Sequence, residues 1–118
     1  MIFSPELAAK VLDGTKTITR RRVRVGDFCR YLPGQVYAVQ PGRGKKHVGH
    51  IAVWGLSYRI LNSISDADVR SEGFVDIGGF MDYWMKLYGV WNPNEEVSVI
   101  EFILAPSCER CVPLQVAL

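Results

Sequence analysis

Residues 4–19 constrain the fold most strongly, because a fully punctuated helix runs directly into a β-prone segment. Ser4 is a candidate N-cap, and Pro5 suits the first helical position. Gly14 is placed to end the helix with a positive φ. The β-branched run Thr17-Ile18-Thr19 then favours extended backbone. The pattern predicts a helix joined to a strand with almost no loop, and its buried stripe is Leu7, Ala8, Val11 and Leu12.

The rest of the chain alternates short strand and helix patterns. Strands are predicted over residues 28–32, 35–40, 48–61 and 97–104, separated by turns at 25–27, 33–34 and 91–94. The third stretch is one long strand or two shorter ones, with Gly55 a possible bulge. Two more helices are predicted, from Ser65 to Glu72 ending at Gly73, and from Phe80 to Tyr88 with Phe80, Trp84 and Leu87 on one face. Short strands mixed with three short helices predict an α+β domain with a curled or closed sheet.

The length of 118 residues fits one domain, 1–118, and 48% apolar residues suffice for a core. There is no internal repeat, no low-complexity linker and no run of 18 apolar residues. The first residues lack the basic start and apolar stretch of a signal peptide. We therefore expect a cytoplasmic protein without a membrane partner.

Charge is distributed unevenly along the chain. Residues 16–46 hold nine basic residues and a single acid, whereas the remainder holds five basic and eleven acidic residues. Such asymmetry favours an anionic partner that meets one face, although a solvated charged surface would give the same counts. The basic residues fall mainly into two clusters, 20–24 and 43–46.

The three cysteines indicate neither a disulfide framework nor a metal site. Cys108 and Cys111 supply only half of a tetrahedral zinc site. His47 and His50 would complete it, but on a strand a spacing of three points them to opposite faces. We expect no metal, and we interpret the pair as plain thiols rather than as a zinc or redox site.

Lys16 and Thr19 form the candidate chemical pair at the helix-to-strand junction. A lysine ammonium changes its pKa readily when it is buried or lies near other cations, and Arg20, Arg21 and Arg22 follow immediately. A neutral lysine can take the proton of a threonine hydroxyl, which is a poor nucleophile without a base. The structural alternative is a surface lysine near a helix C-terminus, followed by ordinary strand threonines.

At this point the chain resembles the ASCH domain of the PUA-like superfamily over nearly its whole length. The resemblance rests on the string G-x-K-x-x-T-x-R at residues 14–21, the turn at 25–27, the segment 64–74 that ends in Glu72-Gly73-Phe74, and the segments Phe80-x-x-Tyr83-Trp84 and Val99-Ile100-Glu101-Phe102. It implies a PUA-like mixed β-barrel with flanking short helices, in a bacterial or phage-encoded protein. A cleft in that barrel would hold RNA or a nucleotide.

Small bacterial members of this family remove the acetyl group from N(4)-acetylcytidine. By resemblance, Thr19 would be the nucleophile, Lys16 the base and Glu72 the acid of a metal-independent amidohydrolase without a cofactor. The Arg20–Arg22 cluster would stabilise an oxyanion or contact phosphate. The residues expected to bind the nucleoside or RNA are Arg20, Arg21, Arg22, Arg24, Arg43, Lys45 and Lys46.

Two other functions remain open from the sequence. One is an RNA-binding module without chemistry, in which Thr19 can be changed freely. The other is a ribonuclease that uses Lys16 and the arginines, although neither histidine has an evident catalytic context. Four aromatic residues are candidates for base stacking or, alternatively, for core packing: Tyr37, Trp54, Tyr58 and Trp91.

Overall fold

The computed structural model describes residues 1–23 and 29–106. In chain order the elements are α1 (Pro5–Leu12), β1 (Ile18–Arg22), β2 (Val36–Val39), β3 (Gly49–Ile60), a 3-10 turn (Leu61–Ser63), α2 (Asp66–Ser71), α3 (Ile77–Tyr88) and β4 (Glu96–Ala105). The strands form one antiparallel sheet of order β1-β4-β3-β2, so the last strand pairs between the first and the third. The α+β prediction is confirmed. The predicted turn at 25–27, Arg24, and the Cys108–Cys111 pair lie outside the described residues.

The helix-to-strand junction forms as its sequence predicts. The Ser4 hydroxyl accepts the Leu7 N–H at 3.3 Å, and Gly14 has a φ of 85° just beyond the helix. The extended backbone of β1 begins at Ile18. One side of α1 is buried through Leu7, Ala8 and Val11, whereas Leu12 lies at the edge of that stripe and is 36% exposed.

The stretch from residue 48 to 61 is one long strand with a bulge. The register of β3 on β4 shifts between Val53 and Gly55, which leaves Trp54 as the extra residue. Gly49 opens the strand at a close approach to α1. A Cβ at Gly49 would lie 2.7 Å from the Leu12 Cδ2 atom, so a side chain there would require the Leu12 side chain to move.

Helices cover both faces of the sheet, and we name the faces by them. The α1 face packs against α1 and the first residues of the chain, in a cluster that contains Phe3, Leu7, Val11, Ile51, Val53, Ile100 and Phe102. The α3 face packs against α2 and α3, in a cluster formed by Leu61, Val69, Phe80, Trp84, Val97 and Val99. Strand alternation therefore decides which of the two environments each strand residue meets.

The sheet curls without closing into a barrel within the described residues. Ile2 makes an isolated parallel bridge to Gln40 at the end of β2, supported by the Phe3 N–H, which donates to the Gln40 carbonyl at 2.9 Å. On the other side, Arg21 of β1 donates from Nη2 to the Ile2 carbonyl at 2.9 Å. Residues 1–3 thus lie between the two edge strands. They are joined to β2 by backbone contacts, but to β1 only by the Arg21 side chain.

Three local predictions differ from the structure. The predicted strand over 28–32 is absent at residues 29–32, which have irregular backbone. Leu87 is 53% exposed although Phe80 and Trp84, which share its face by helical spacing, are buried; it lies in the last turn of α3. The helix also starts three residues before Phe80, since the Asp76 side chain accepts the Gly79 N–H at 2.9 Å and caps it.

Candidate active site

The end of α2 lies beside the start of β1, which brings Glu72 to Lys16. The Thr17 N–H donates to the Ser71 carbonyl at 2.8 Å and joins the two segments. Gly73 makes this approach possible, because its φ is 100°. A Cβ at Gly73 would lie 3.2 Å from the Lys10 Cδ and 3.3 Å from the Leu7 Cδ2 atom, so the residue after α2 packs closely against the side chains of α1.

Lys16 is a buried lysine with a complete set of acceptors. It is 2% exposed, and its Nζ donates to the Ile18 carbonyl at 2.8 Å, the Glu72 carbonyl at 2.8 Å and the Glu72 Oε1 at 3.1 Å. An ammonium has three N–H donors, so these three acceptors satisfy it fully. The alternative of a surface lysine is therefore wrong.

Burial sets the direction of the Lys16 pKa. Desolvation lowers the pKa of Lys16 below its ordinary value, and the neighbouring charges of Arg21 and Arg20 lower it further. The Glu72 carboxylate acts in the opposite direction on that pKa through its charge and hydrogen bond. Burial outweighs the carboxylate, so Lys16 loses a proton more readily than an exposed lysine.

Glu72 joins two buried cations. Its Oε1 faces Lys16, and its Oε2 accepts from the Arg20 Nη1 at 3.1 Å. The second terminal nitrogen of Arg20 donates to Asp68 at 2.9 Å. Arg20 is 4% exposed, so the site uses its charge internally, whereas the sequence had predicted contacts to substrate or RNA. Asp68 is the member that the sequence analysis missed, and its position four residues before Glu72 on one helix was the available signal.

Thr19 lies on the α1 face of β1, and its direct partner is Arg21. The Thr19 Oγ1 accepts from the Arg21 Nε at 3.3 Å, and Thr19 is 5% exposed. The Arg21 guanidinium also lies 5.4 Å from the centre of the Phe3 ring, and the Lys16 Nζ lies 5.9 Å from the same ring centre. Lys16 and Arg21 therefore both lie near the Phe3 ring, while the Thr19 hydroxyl is hydrogen-bonded to Arg21.

Tyr83 is a further polar group near these residues. Its ring packs 5.4 Å from the ring of Phe74, the residue that follows Gly73. Burial raises the pKa of Tyr83, Arg21 lowers this pKa, and Tyr88 and Glu72 raise it. The sequence analysis had placed Tyr83 only in the string Phe80-x-x-Tyr83-Trp84 and had given it no role.

The two predicted basic clusters differ in their surroundings. Arg22 is partly exposed, pairs with Glu95 at 2.6 Å and lies 5.5 Å from the centre of the Tyr88 ring. The cluster in the loop before β3 is exposed, and it takes part in no ion pair with any described residue: Arg43, Lys45 and Lys46.

The aromatic and histidine candidates also separate. Trp54 is 60% exposed and Tyr58 is 46% exposed, whereas Tyr37 and Trp91 are half-buried in the packed part of the fold. The rings of His47 and His50 lie 5.1 Å apart, so the expectation of opposite faces was wrong, because β3 begins only at Gly49. No group of three potential metal ligands occurs among residues 1–23 and 29–106. Within the same residues, no helix is long and apolar enough to cross a membrane.

No family model and no curated protein matches the chain. Among solved structures, its fold is similar to the ASCH domain from Lactobacillus crispatus JV V101, with a TM-score of 0.71 at 15% identity over 83% of this chain and 69% of that one. It is also similar to protein EF3133 from Enterococcus faecalis V583, with a TM-score of 0.64 at 17% identity over 86% and 74%. ASCH from Zymomonas mobilis gives a TM-score of 0.61 at 18% identity over 91% and 66%. The chain therefore has the fold of the ASCH structures.

Proposed function

We propose that the chain is an ASCH-family amidohydrolase that deacylates N(4)-acetylcytidine or a related acylated cytosine nucleoside, without a metal or cofactor. The observation that carries the proposal is the buried contact of 3.1 Å between the Lys16 Nζ and the Glu72 Oε1. Lys16 lies three residues before Thr19, a buried threonine. A base of lowered pKa and an acid in direct contact are the two proton carriers that amide hydrolysis needs. The ASCH fold supports the same reading.

Proton transfer within the buried pair supplies both catalysts at once. Moving one proton from the Lys16 Nζ to the Glu72 Oε1 converts ammonium and carboxylate into a neutral amine and a carboxylic acid. Burial favours this step, because it lowers the pKa of Lys16 and because a neutral pair costs less to hold away from water. The amine is then the base, and the acid carries the proton for the leaving group.

Acylation of Thr19 follows from these roles. The Thr19 Oγ1 attacks the acetyl carbonyl carbon, and its proton passes to the Lys16 amine. The bond between the carbonyl carbon and the cytosine N4 breaks as the Glu72 acid protonates that nitrogen. The products are cytidine and acetyl-threonine, with Lys16 again an ammonium and Glu72 again a carboxylate.

Hydrolysis of the acyl-enzyme restores the site. The Glu72 carboxylate takes a proton from water, and the resulting hydroxide adds to the acyl carbon. The ester bond to Oγ1 breaks, and the Lys16 ammonium returns a proton to the threonine oxygen. Acetic acid leaves and ionises, and a proton from Glu72 returns to Lys16.

Arg21 supports the nucleophile in this scheme. It is permanently charged and donates to the Thr19 Oγ1, so it stabilises negative charge that develops on that oxygen. The hydroxyl proton is not used by this contact and remains available to the base. Because Thr19 is 5% exposed, binding of the acyl group requires a neighbouring side chain to move.

The test is release of acetate and cytidine from N(4)-acetylcytidine by the purified protein, with and without a chelator. Thr19→Ala, Lys16→Met and Glu72→Gln are each expected to reduce the rate about a thousandfold or more, whereas Thr19→Ser keeps a hydroxyl and retains part of it. Thr17→Ala is the matched control, because Thr17 lies two residues away and its side chain has no assigned role. Full activity of Thr19→Ala would exclude this threonine as the nucleophile.

A second candidate is a nucleic-acid binder in which the buried cluster is structural. The observation that favours it is the saturation of the Lys16 Nζ by three acceptors, which is also how a fixed structural ion pair is built. A wild-type protein that is folded and leaves a panel of acylated cytosine nucleosides intact would support this candidate over the hydrolase.

A further inference from the structure

We propose that the uncovered part of the α3 face is a platform for single-stranded nucleic acid. We call this surface the platform and define it by Val36, His50, Ala52, Trp54 and Ile103. It goes beyond the proposed hydrolysis, because Thr19 and Arg21 belong to the α1 face and the platform lies on the opposite face of the sheet.

Helices α2 and α3 cover only one end of their face. They pack on Val97 and Val99 near the start of β4, and the same side of this strand continues to Ile103, which is 58% exposed. Across the sheet, Ile103 pairs with Ala52, and Ala52 pairs with Val36, which is 54% exposed. An apolar row therefore crosses three strands without a covering element among the described residues.

Along β3 the platform carries two rings. His50, Ala52 and Trp54 alternate, so they point to the same face, and about 13 Å separates the first from the last. Trp54 is the extra residue of the β-bulge and is 60% exposed, the largest exposed ring in the described sheet. The indole lies beside Gly55 of the bulge, on the same face as Ala52, and it is open to solvent.

Positive charge lies at one end of the platform. The His47 ring is 5.1 Å from the His50 ring, which links the platform to the exposed loop that carries Arg43, Lys45 and Lys46. No described acid pairs with these three cations. The acid on the same face is Glu101, which is half-buried between Ile18 and Gly55 near the far end.

The exposed rings of the platform and the loop cations, which pair with no described acid, together favour single-stranded nucleic acid as the ligand. Bases of a single strand stack on exposed rings without sequence preference, while lysine and arginine follow the phosphates. A second copy of the chain would cover the apolar row, but the row and the basic loop together match the bases and the phosphates of one strand. A duplex keeps its base faces stacked inside and so could not use Trp54. Single-stranded nucleic acid uses both features.

The experiment measures binding of fluorescein-labelled oligo(U) and oligo(dT) of twelve nucleotides to the full chain by fluorescence anisotropy. Trp54→Ala is expected to weaken binding about five- to a hundredfold, because one stacked base is lost. Tyr58→Ala is the matched control, since this exposed tyrosine lies on the same strand but on the α1 face, and it is expected to bind like the wild type. Lys45→Ala is expected to lower the slope of log affinity against log salt by about 0.7.

Several results would overturn the platform. They are no binding of either oligonucleotide by the wild type, equal affinities of Trp54→Ala and the wild type, or equal losses in the Trp54 and Tyr58 variants. Light scattering in which Trp54→Ala dissolves a dimer, without oligonucleotide binding, would instead assign the face to self-association. Thr19→Ala, which tests the hydrolase, is expected to bind oligonucleotide normally, so the two proposals fail independently.

Discussion

Two basic stretches of the chain, residues 20–22 and the loop residues 43–46, have opposite fates in the fold. In β1, Arg20 is buried against Glu72 and Asp68, and Arg22 pairs with Glu95. In the loop, the cations are exposed and pair with no described acid. Equal charge in the sequence therefore becomes a buried ionic cluster in one place and an unpaired basic surface in the other.

Strand geometry explains this difference. Successive side chains of a strand point to opposite faces, so Arg20 and Arg22 meet α2 and the α3 region while Arg21 meets Phe3. A run of arginines in a strand is thus split between two packed environments. A glycine-rich loop has no such constraint, and its cations remain in water. Local charge predicts a binding surface only where the backbone leaves the side chains uncovered.

Among substitutions in the two basic stretches, Arg20→Ala is expected to cause the largest loss of stability. It leaves the buried Glu72 with a single cationic partner and the partly exposed Asp68 with none, at a cost of about 3–5 kcal/mol in the free energy of unfolding. Arg20→Lys keeps the charge but cannot reach both carboxylates with a planar fork, so its loss should be smaller. Urea unfolding checks both variants, and an Arg20→Ala protein as stable as the wild type would refute the buried cluster.

Arg22→Ala is expected to cost about 1–3 kcal/mol, because the Arg22 side chain is 40% exposed but the Glu95 side chain that loses its partner is only 9% exposed. The loss includes its contact with the Tyr88 ring. It should shrink at high salt, which screens exposed pairs more than buried ones. Unfolding at low and high salt measures this, and a salt-independent loss would assign the effect to packing.

Substitutions in the loop are expected to change stability least. Arg43→Ala, Lys45→Ala and Lys46→Ala should each stay within about 0.5 kcal/mol of the wild type, because the side chains are exposed and unpaired among the described residues. Thermal unfolding of the three variants checks this. A loss as large as that expected for Arg20→Ala would erase the contrast between the two stretches.

The smallest expected effect is the pH dependence of the contribution that Lys16 makes to the free energy of unfolding. Its pKa is lowered in the folded protein, so between that value and the ordinary value of 10.5 the unfolded chain binds more protons at this site. The contribution of this group to the free energy of unfolding therefore rises with pH across this window. The stability of the wild type minus that of Lys16→Met is expected to increase as the pH approaches 10.5, and a decrease would mean that Glu72 outweighs burial.

Much of the fold was predictable because its signals are local. Ser4, Ser65 and Gly14 mark helix ends through their own hydrogen bonds or backbone conformation, and the structure uses each as expected. Gly55 pointed to the irregularity in β3, although the extra residue is its neighbour Trp54. The Asp76 cap was missed, and with it the first turn of α3, because Ile77-Gly78-Gly79 has weak helix propensity.

The candidate site was less accessible to sequence reasoning. Lys16 and Thr19 stood out by residue type and spacing, but Glu72 entered through the family resemblance rather than through its own neighbours. The contact between Arg21 and Thr19 and the pairing of Arg20 with Asp68 had no signal in the charge count. Both depend on which face of β1 each residue occupies and on what packs there.

By itself the sequence determined the helix caps at Ser4 and Ser65, the helix-to-strand junction and the α+β class, because each depends on residues a few positions apart. Only the tertiary structure decided that Lys16 meets Glu72, a residue 56 positions away, and that Trp54 is left exposed. The physical reason is that burial and ion pairing require segments distant in the chain to meet. Strand pairing and the positive φ of Gly73 bring those segments together, and no local pattern contains that information.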